Sequence, residues 1–227
     1  MGTVLVEAPA APALEALRAY LEAKARITDD DFDLLASVFV PRGIRAGEYL
    51  QRAGEVARWA AFVASGCLRT YVIDENGKEH IVKFAPEDWW VGDSTSLESG
   101  APSRYFIDAI EDTDVVLIDA PSHERVLARV PGYAAAFRIG LQKHAAAKDR
   151  RIVSALTATA EERYLEFVKT YPSIALRVPQ TMIASYLGMT PETISRIRKN
   201  RARRSDRARA ARGPRSAQAF ALRRALG

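Results

Sequence analysis

"PQTMIASYLGMTPETISRIRKN", residues 179–200, sets a glycine between two stretches of helical spacing. In the first, Ile183 and Leu187 lie four apart on one face of a short helix, and Gly188 follows where a positive φ ends it. In the second, Thr190 offers a side-chain oxygen as an N-cap, and Pro191 takes the first helical position, where its missing N–H is no loss. Glu192 then sets negative charge beside the positive helix end. At about 100° per residue, Ile194 and Ile197 mark the buried side of this helix, with Glu192, Ser195, Arg196 and Lys199 roughly opposite. Two helices joined by a tight turn, with hydrogen-bonding side chains facing outward, have the form of a helix-turn-helix. The alternative is a solvated helix carrying a Glu192–Arg196 pair at i, i+4.

Charge favours the first reading. Residues 151–227 contain 16 Lys and Arg against 5 Asp and Glu, whereas residues 1–150 contain 17 against 23. The basic excess is thus confined to the end that holds the helix pair. Phosphate attraction supplies affinity for duplex DNA while an exposed helix reads base edges, so this segment suits the major groove.

The 227 residues suffice for one large or two modest domains. Residues 1–13 look like a loose Ala/Pro arm, followed by a helix with Leu14, Leu17 and Leu21 on one side and a second helix capped by Thr28. From Val40 the chain turns to short alternating stretches punctuated by glycine, and Asn76-Gly77 in "DENGKE" marks a hairpin between "LRTYVI" and "HIVKFA". A compact antiparallel β domain is expected at about residues 38–120.

From Tyr133 the spacing is helical, with no breaker between Gly140 and Pro172. Phe137, Leu141, Ala145, Lys148, Ile152 and Leu156 form a heptad-like seam spoiled by one lysine. It suits either a helix packed on its own β domain or a two-fold dimer seam; pairing across a two-fold axis is how a single helix-turn-helix gains specificity. "SIALRVP", residues 173–179, is read as a short wing strand before the helix pair.

The order of β-roll, long helix and helix-turn-helix resembles the CRP/FNR family of bacterial transcription regulators. "PRGIRAGEYLQRAGE", "FAPEDWWVGDSTSLESGAPSRYFIDAIEDTDV" and "VPQTMIASYLGMTPETISRIRKN" carry the likeness, which covers about residues 14–200. It implies an α+β fold: an antiparallel, cyclic-nucleotide-binding-like β-roll at 14–130, a dimerisation helix at 131–156, a winged helix-turn-helix at 157–200 and a basic, disordered tail at 201–227. Glu192, Ser195 and Arg196 match the Glu-x-x-Ser-Arg pattern of the family's FNR-like branch; Thr190, Thr193 and Lys199 complete the expected DNA-contacting set. The implied partners are double-stranded DNA at an inverted repeat with a TGA-type core, a second copy of the chain, and RNA polymerase.

The likeness fails at the nucleotide site. Family members that bind cyclic nucleotides use Gly-Glu for the ribose and Arg-Ser for the phosphate; this chain has Gly92-Asp93 and Ser103-Arg104. A one-residue slip on a strand turns a side chain to the opposite face, so Arg104 is expected to leave the pocket and cyclic AMP is not the expected ligand. No cofactor or metal is expected. Cys67 alone cannot form an intrachain disulfide or hold a cysteine-bound cluster, and it suits a buried apolar position better than a redox switch. His80, His123 and His144 are far apart, and nothing singles one out as a haem ligand. Trp89 and Trp90 could line a pocket or fill the core. No nucleophile triad, paired carboxylates or phosphate loop stands out, so an enzyme is not expected. The start lacks a basic n-region and no apolar run reaches 18 residues, pointing to a cytoplasmic chain without a membrane span. A β-roll ligand-binding or interaction module without specific DNA readout is the competing reading. The nine arginines of residues 201–227 suit either a passive tail or an arm along phosphates.

Overall fold

The computed structural model describes residues 10–211. Helices α1 (Ala10–Glu22) and α2 (Asp29–Ala36) precede strands β1 (Val40–Ile44), β2 (Tyr49–Gln51), β3 (Ala60–Ser65), β4 (Leu68–Ile73), β5 (Glu79–Ala85) and β6 (Trp90–Val91). A short helix α3 (Ser94–Ser99) then leads to β7 (Phe106–Ala109) and β8 (Thr113–Ile118). The rest is helical: α4 (Ala120–Arg129), α5 (Pro131–Thr157), α6 (Ala160–Thr170), α7 (Pro172–Arg177), α8 (Gln180–Leu187) and α9 (Pro191–Ala211).

The strands form two antiparallel four-stranded sheets, in orders β1-β8-β3-β6 and β2-β7-β4-β5. Alternation of side chains divides each strand between two faces. On β3, Ala61 and Val63 enter the core between the sheets with Leu68, Ile107 and Val115. Phe62 faces the other way, its ring 4.9 Å from that of Tyr20 on α1 and 5.5 Å from that of Trp90. The outer face of the second sheet carries Tyr71, Ile81 and Phe84, which the C-terminal helices cover with Phe167, Ile174, Ile183, Ala184 and Ile194. On the same sheet Arg69 donates to Asp108 at 2.7 and 2.9 Å and to Glu79 at 2.6 Å, tying three strands together.

The expected hairpin joins β4 to β5. Gly77 takes φ 78°, and Asp74 Oδ1 accepts from the amides of Asn76 (2.9 Å) and Lys78 (3.0 Å). Farther along this pair, Tyr71 faces Ile81 while Thr70 faces Lys83, so Val82 is an extra residue in β5. This bulge lets Ile81 and Phe84, three apart, share the outer face. As the edge strand of its sheet, β5 also leaves carbonyls on its outer side outside the ladder. Arg151 of α5 donates to the carbonyls of Val82 and Ile81 (3.2 Å to the latter), and to that of Tyr186 at 2.8 Å.

Several expectations need correction. Residues 10–13 belong to α1, whose alanines favour helix and whose Ala13 is buried, whereas residues 1–9 lie outside the described ones. "SIALRVP" is not a wing strand: Pro172 starts α7, which buries Ile174 and leaves Leu176 89% exposed, with Val178 buried just past its end. Among the described residues no strand flanks the helix pair. The helical stretch after Tyr133 breaks at Ala158, because Thr159 and Glu162 form a reciprocal capping box that starts α6. Residues 201–211, expected to be disordered, continue α9; their Ala- and Arg-rich sequence adds turns to a helix already nucleated. The remainder of the tail, 212–227, lies outside the described residues.

Where α5 crosses the roll, His144 stacks on Trp89 with ring centroids 4.6 Å apart and an interplanar angle of 15°. Lys83 of β5 donates to the Trp90 carbonyl at 2.5 Å, and burial lowers its ammonium to about 8. Burial, then the charges of Lys83 and Lys143, push the His144 imidazole down from 6.5 to about 4. The folded state therefore resists protonation that the unfolded chain accepts. Its contribution is whole above about pH 6.5 and lost as pH falls through about 4. We expect His144→Phe, which keeps the stacking, to flatten the decline in melting temperature over this interval. Parallel melting curves of the two proteins between pH 7 and 4 would show it, and identical pH profiles would contradict it.

Candidate nucleic-acid interface and ligand pocket

The α8–α9 pair has its turn at Gly188, whose φ of 64° lets Met189 N donate back to Ala184 O at 3.0 Å. Thr190 Oγ1 then accepts from the amide of Thr193 at 3.3 Å, capping α9, and lies 3.2 Å from Thr193 Oγ1. Glu192 sits in the first turn, where its own backbone amide, then the Thr190 side chain, hold its carboxyl below the usual range. It is ionised at neutral pH. Ile194 and Ile197 are buried, while Glu192, Arg196 and Lys199 are exposed and Thr193 and Ser195 are half-buried. Arg198, Arg201, Arg203, Arg204 and Arg207 extend the exposed cationic surface along the same helix. Only Arg204 among these has an ion-pair partner among the described residues, Glu161 at 3.2 Å.

Docking of this pair against the roll places α9. Ser185 Oγ accepts from Ile81 N at 3.0 Å and donates to Glu79 O at 2.9 Å, while Arg177 donates to Glu87 at 2.7 and 3.1 Å. Sequence reasoning missed Arg151, Ser185 and Arg177. No motif marks them, because their partners are backbone groups and carboxylates 35 to 106 positions away.

Of the four ligand-pocket positions, Asp93 and Ser103 meet at the N-terminal end of α3 and satisfy each other. Asp93 caps α3 through Ser96 N at 3.4 Å, and its other oxygen accepts from Ser103 Oγ at 2.8 Å. Ser103 is buried and also accepts from Tyr105 N at 3.1 Å. Arg104 is exposed, its guanidinium 5.2 Å from the centroid of the Tyr105 ring. A side chain at Gly92 would meet the Ala60 backbone at 3.3 Å, so this approach requires glycine or a slight shift of the strand. The arrangement offers a phosphate no inward cation among these four residues, and its carboxylate is already engaged. Trp90 is core, packed among Phe39, Phe62 and Tyr133.

The seam residues divide. Phe137 is half-buried and turns toward its own roll, 4.5 Å from the His123 ring and 6.0 Å from Trp90. Leu141, Ile152 and Leu156 are 53%, 51% and 81% exposed, and Ala145 and Lys148 are exposed between them. Cys67 is buried, and burial pushes its thiol up to about 12, which removes thiolate chemistry at neutral pH. His80 pairs with Asp74 at 2.7 Å, and no metal-ligand cluster occurs among the described residues. No described helix is long and apolar enough to cross a membrane.

Residues 41–130 match the family model of the cyclic nucleotide-binding domain. The transcriptional regulatory protein btr of Bordetella pertussis is 27% identical over 146 residues, covering 60% of this chain and 60% of that protein. Among solved structures, FixK2 of Bradyrhizobium japonicum aligns with a TM-score of 0.64 at 24% identity, covering 74% of this chain and 86% of that one. A transcriptional regulator of the crp/fnr family from Eubacterium rectale aligns at 0.58 and 18%, covering 75% and 82%. At these identities the structural matches speak for the fold. The chain thus carries a cyclic nucleotide-binding domain over residues 41–130 and shares the fold of these two solved structures.

Proposed function

We propose that the chain is a cytoplasmic, homodimeric regulator that binds duplex DNA at an inverted repeat through α9, with no catalytic activity of its own. The observation that carries this reading is the outward face of α9. Glu192, Arg196 and Lys199 stand exposed beyond a left-handed turn while Ile194 and Ile197 fix the opposite side in the core. Residues 14–130 would serve as sensor or scaffold, 131–156 as the dimerisation helix, 157–200 as the DNA-binding part and 201–227 as a basic extension. The exposed Leu141, Ile152 and Leu156 support a seam on α5, because exposed apolar stripes on a helix gain by covering one another.

In this reading Arg196 donates a bidentate pair to guanine, Glu192 accepts from a cytosine amino group, and Ser195, Thr190 and Thr193 contact bases or nearby phosphates. Lys199, a turn farther along, holds the backbone. Arg196→Ala should cost about 1 to 3 kcal/mol on the preferred site and relax selection at one base pair, whereas Lys199→Ala should weaken all sequences about equally. Fluorescence anisotropy at fixed salt, across single-base variants of the site, checks both. Uniform losses for Arg196→Ala would make α9 an anchor without readout.

The engaged Asp93 and Ser103, with Arg104 outside, support a roll that does not respond to cyclic AMP. A ligand that binds only the folded state raises its stability once its concentration passes Kd. Cyclic AMP should therefore leave the melting temperature unchanged; a saturable rise would overturn this part of the reading.

A further inference from the structure

Between the C-terminal half of α5, α6 and the end of α8 lies a cavity of about 180 Å3. A cavity of about 150 Å3 can take up benzene, so this one has room for a ring with a small polar group. Its aromatic walls come from three elements: Phe167 on α6, Tyr171 where α6 meets α7, and Tyr186 on α8. The Phe167 ring lies 5.6 Å from Tyr171 and 5.5 Å from Tyr186.

The polar lining is predominantly cationic, with Arg150, Arg151 and Arg163 against the single carboxylate of Glu166. Arg151 is engaged by three carbonyls and lies over the Tyr186 ring at 4.1 Å. Arg163 is different. One of its terminal nitrogens donates to Leu187 O at 2.8 Å, but its Nε is buried with no hydrogen-bond partner among the described residues. A buried charged donor left without an acceptor is unfavourable, and an anion in the cavity would relieve it.

We propose that this cavity binds a small aromatic carboxylate, its ring among Phe167, Tyr171 and Tyr186 and its carboxylate accepting from Arg163. A bare inorganic anion would leave the aromatic walls uncovered, and a neutral ring would leave the guanidinium unsatisfied. The site joins α5 to α8 directly before the turn at Gly188, so a ligand there stabilises the docking of α8 on β5 and holds α9 in the position described above. This regulatory consequence rests on the DNA-binding reading, whereas occupancy of the cavity does not.

The test is isothermal titration calorimetry of the full chain with benzoate as probe, beside benzamide and inorganic phosphate. Saturable binding of benzoate is expected, with the other two at least about tenfold weaker, as loss of a charge-assisted bond or of the ring contacts implies. Arg163→Gln should lower benzoate affinity by about tenfold and bring benzamide level with it. Because Arg163 also holds the end of α8, a second variant guards against misfolding: Ala147→Leu fills the α5 wall, leaves the Arg163–Leu187 bond in place and should abolish binding. Absence of saturable benzoate binding would overturn the proposal. So would phosphate binding as tightly as benzoate, or wild-type affinity in Ala147→Leu. DNA affinity measured with and without benzoate separates the two readings, since loss of DNA binding leaves the calorimetric result standing and loss of benzoate binding leaves the DNA reading standing.

Discussion

Arg151 donates to the carbonyls of Ile81 and Val82 on β5, the edge strand of its sheet, and to the carbonyl of Tyr186 near the end of α8. Burial draws this guanidinium below its ordinary pKa, yet it stays charged, and a buried cation must have its donors satisfied. The long helix, the β4–β5 hairpin and α8 are therefore held in one relative position. Ser185 repeats the constraint by accepting from Ile81 N and donating to Glu79 O. Around these polar ties, Tyr71, Ile81, Phe84, Phe167, Ile183 and Ile194 form one continuous apolar layer from the outer sheet face to α9. A change in the roll that moved β5 would move α8, and with it the outward face of α9.

The same economy of polar groups explains the nucleotide pocket. Asp93 and Ser103, the candidate nucleotide-contacting positions, bond to each other within the loop around α3. Ligand-sized space with unsatisfied polarity lies elsewhere, between α5, α6 and α8, next to the element that carries the turn. Under the proposed reading, the roll serves as architecture and the responsive chemistry sits at the junction.

Local signals were legible where a single turn or cap decides the structure. Gly188, Asn76-Gly77, Thr190 and the Ile194/Ile197 pair all act within a few residues of themselves, and the geometry found there follows from their chemistry. The seven residues of "SIALRVP" misled because Ile174, Leu176 and Val178 alternate as in a strand. Pro172 and the burial of Ile174 with Val178 select the helical period instead. Residues 201–211 lack large apolar groups, which suggested disorder, yet a helix already nucleated at Thr190 extends through them on helix propensity, with Arg204 paired to Glu161. Contacts that join distant segments gave no sequence signal at all. Arg151 resembles any solvated arginine until the edge-strand carbonyls that it satisfies are in view, and the slip of Arg104 announced a lost contact without showing that Asp93 and Ser103 would pair.

The central claim is that α9 reads DNA sequence from a two-fold dimer, and selection of bound sites from a random duplex library tests it most directly. The account predicts enrichment of an inverted repeat whose half-sites hold G·C pairs and lie roughly 34 Å apart, one helical turn. A pool no richer in any sequence than the starting library would contradict it, as would a single unrepeated site.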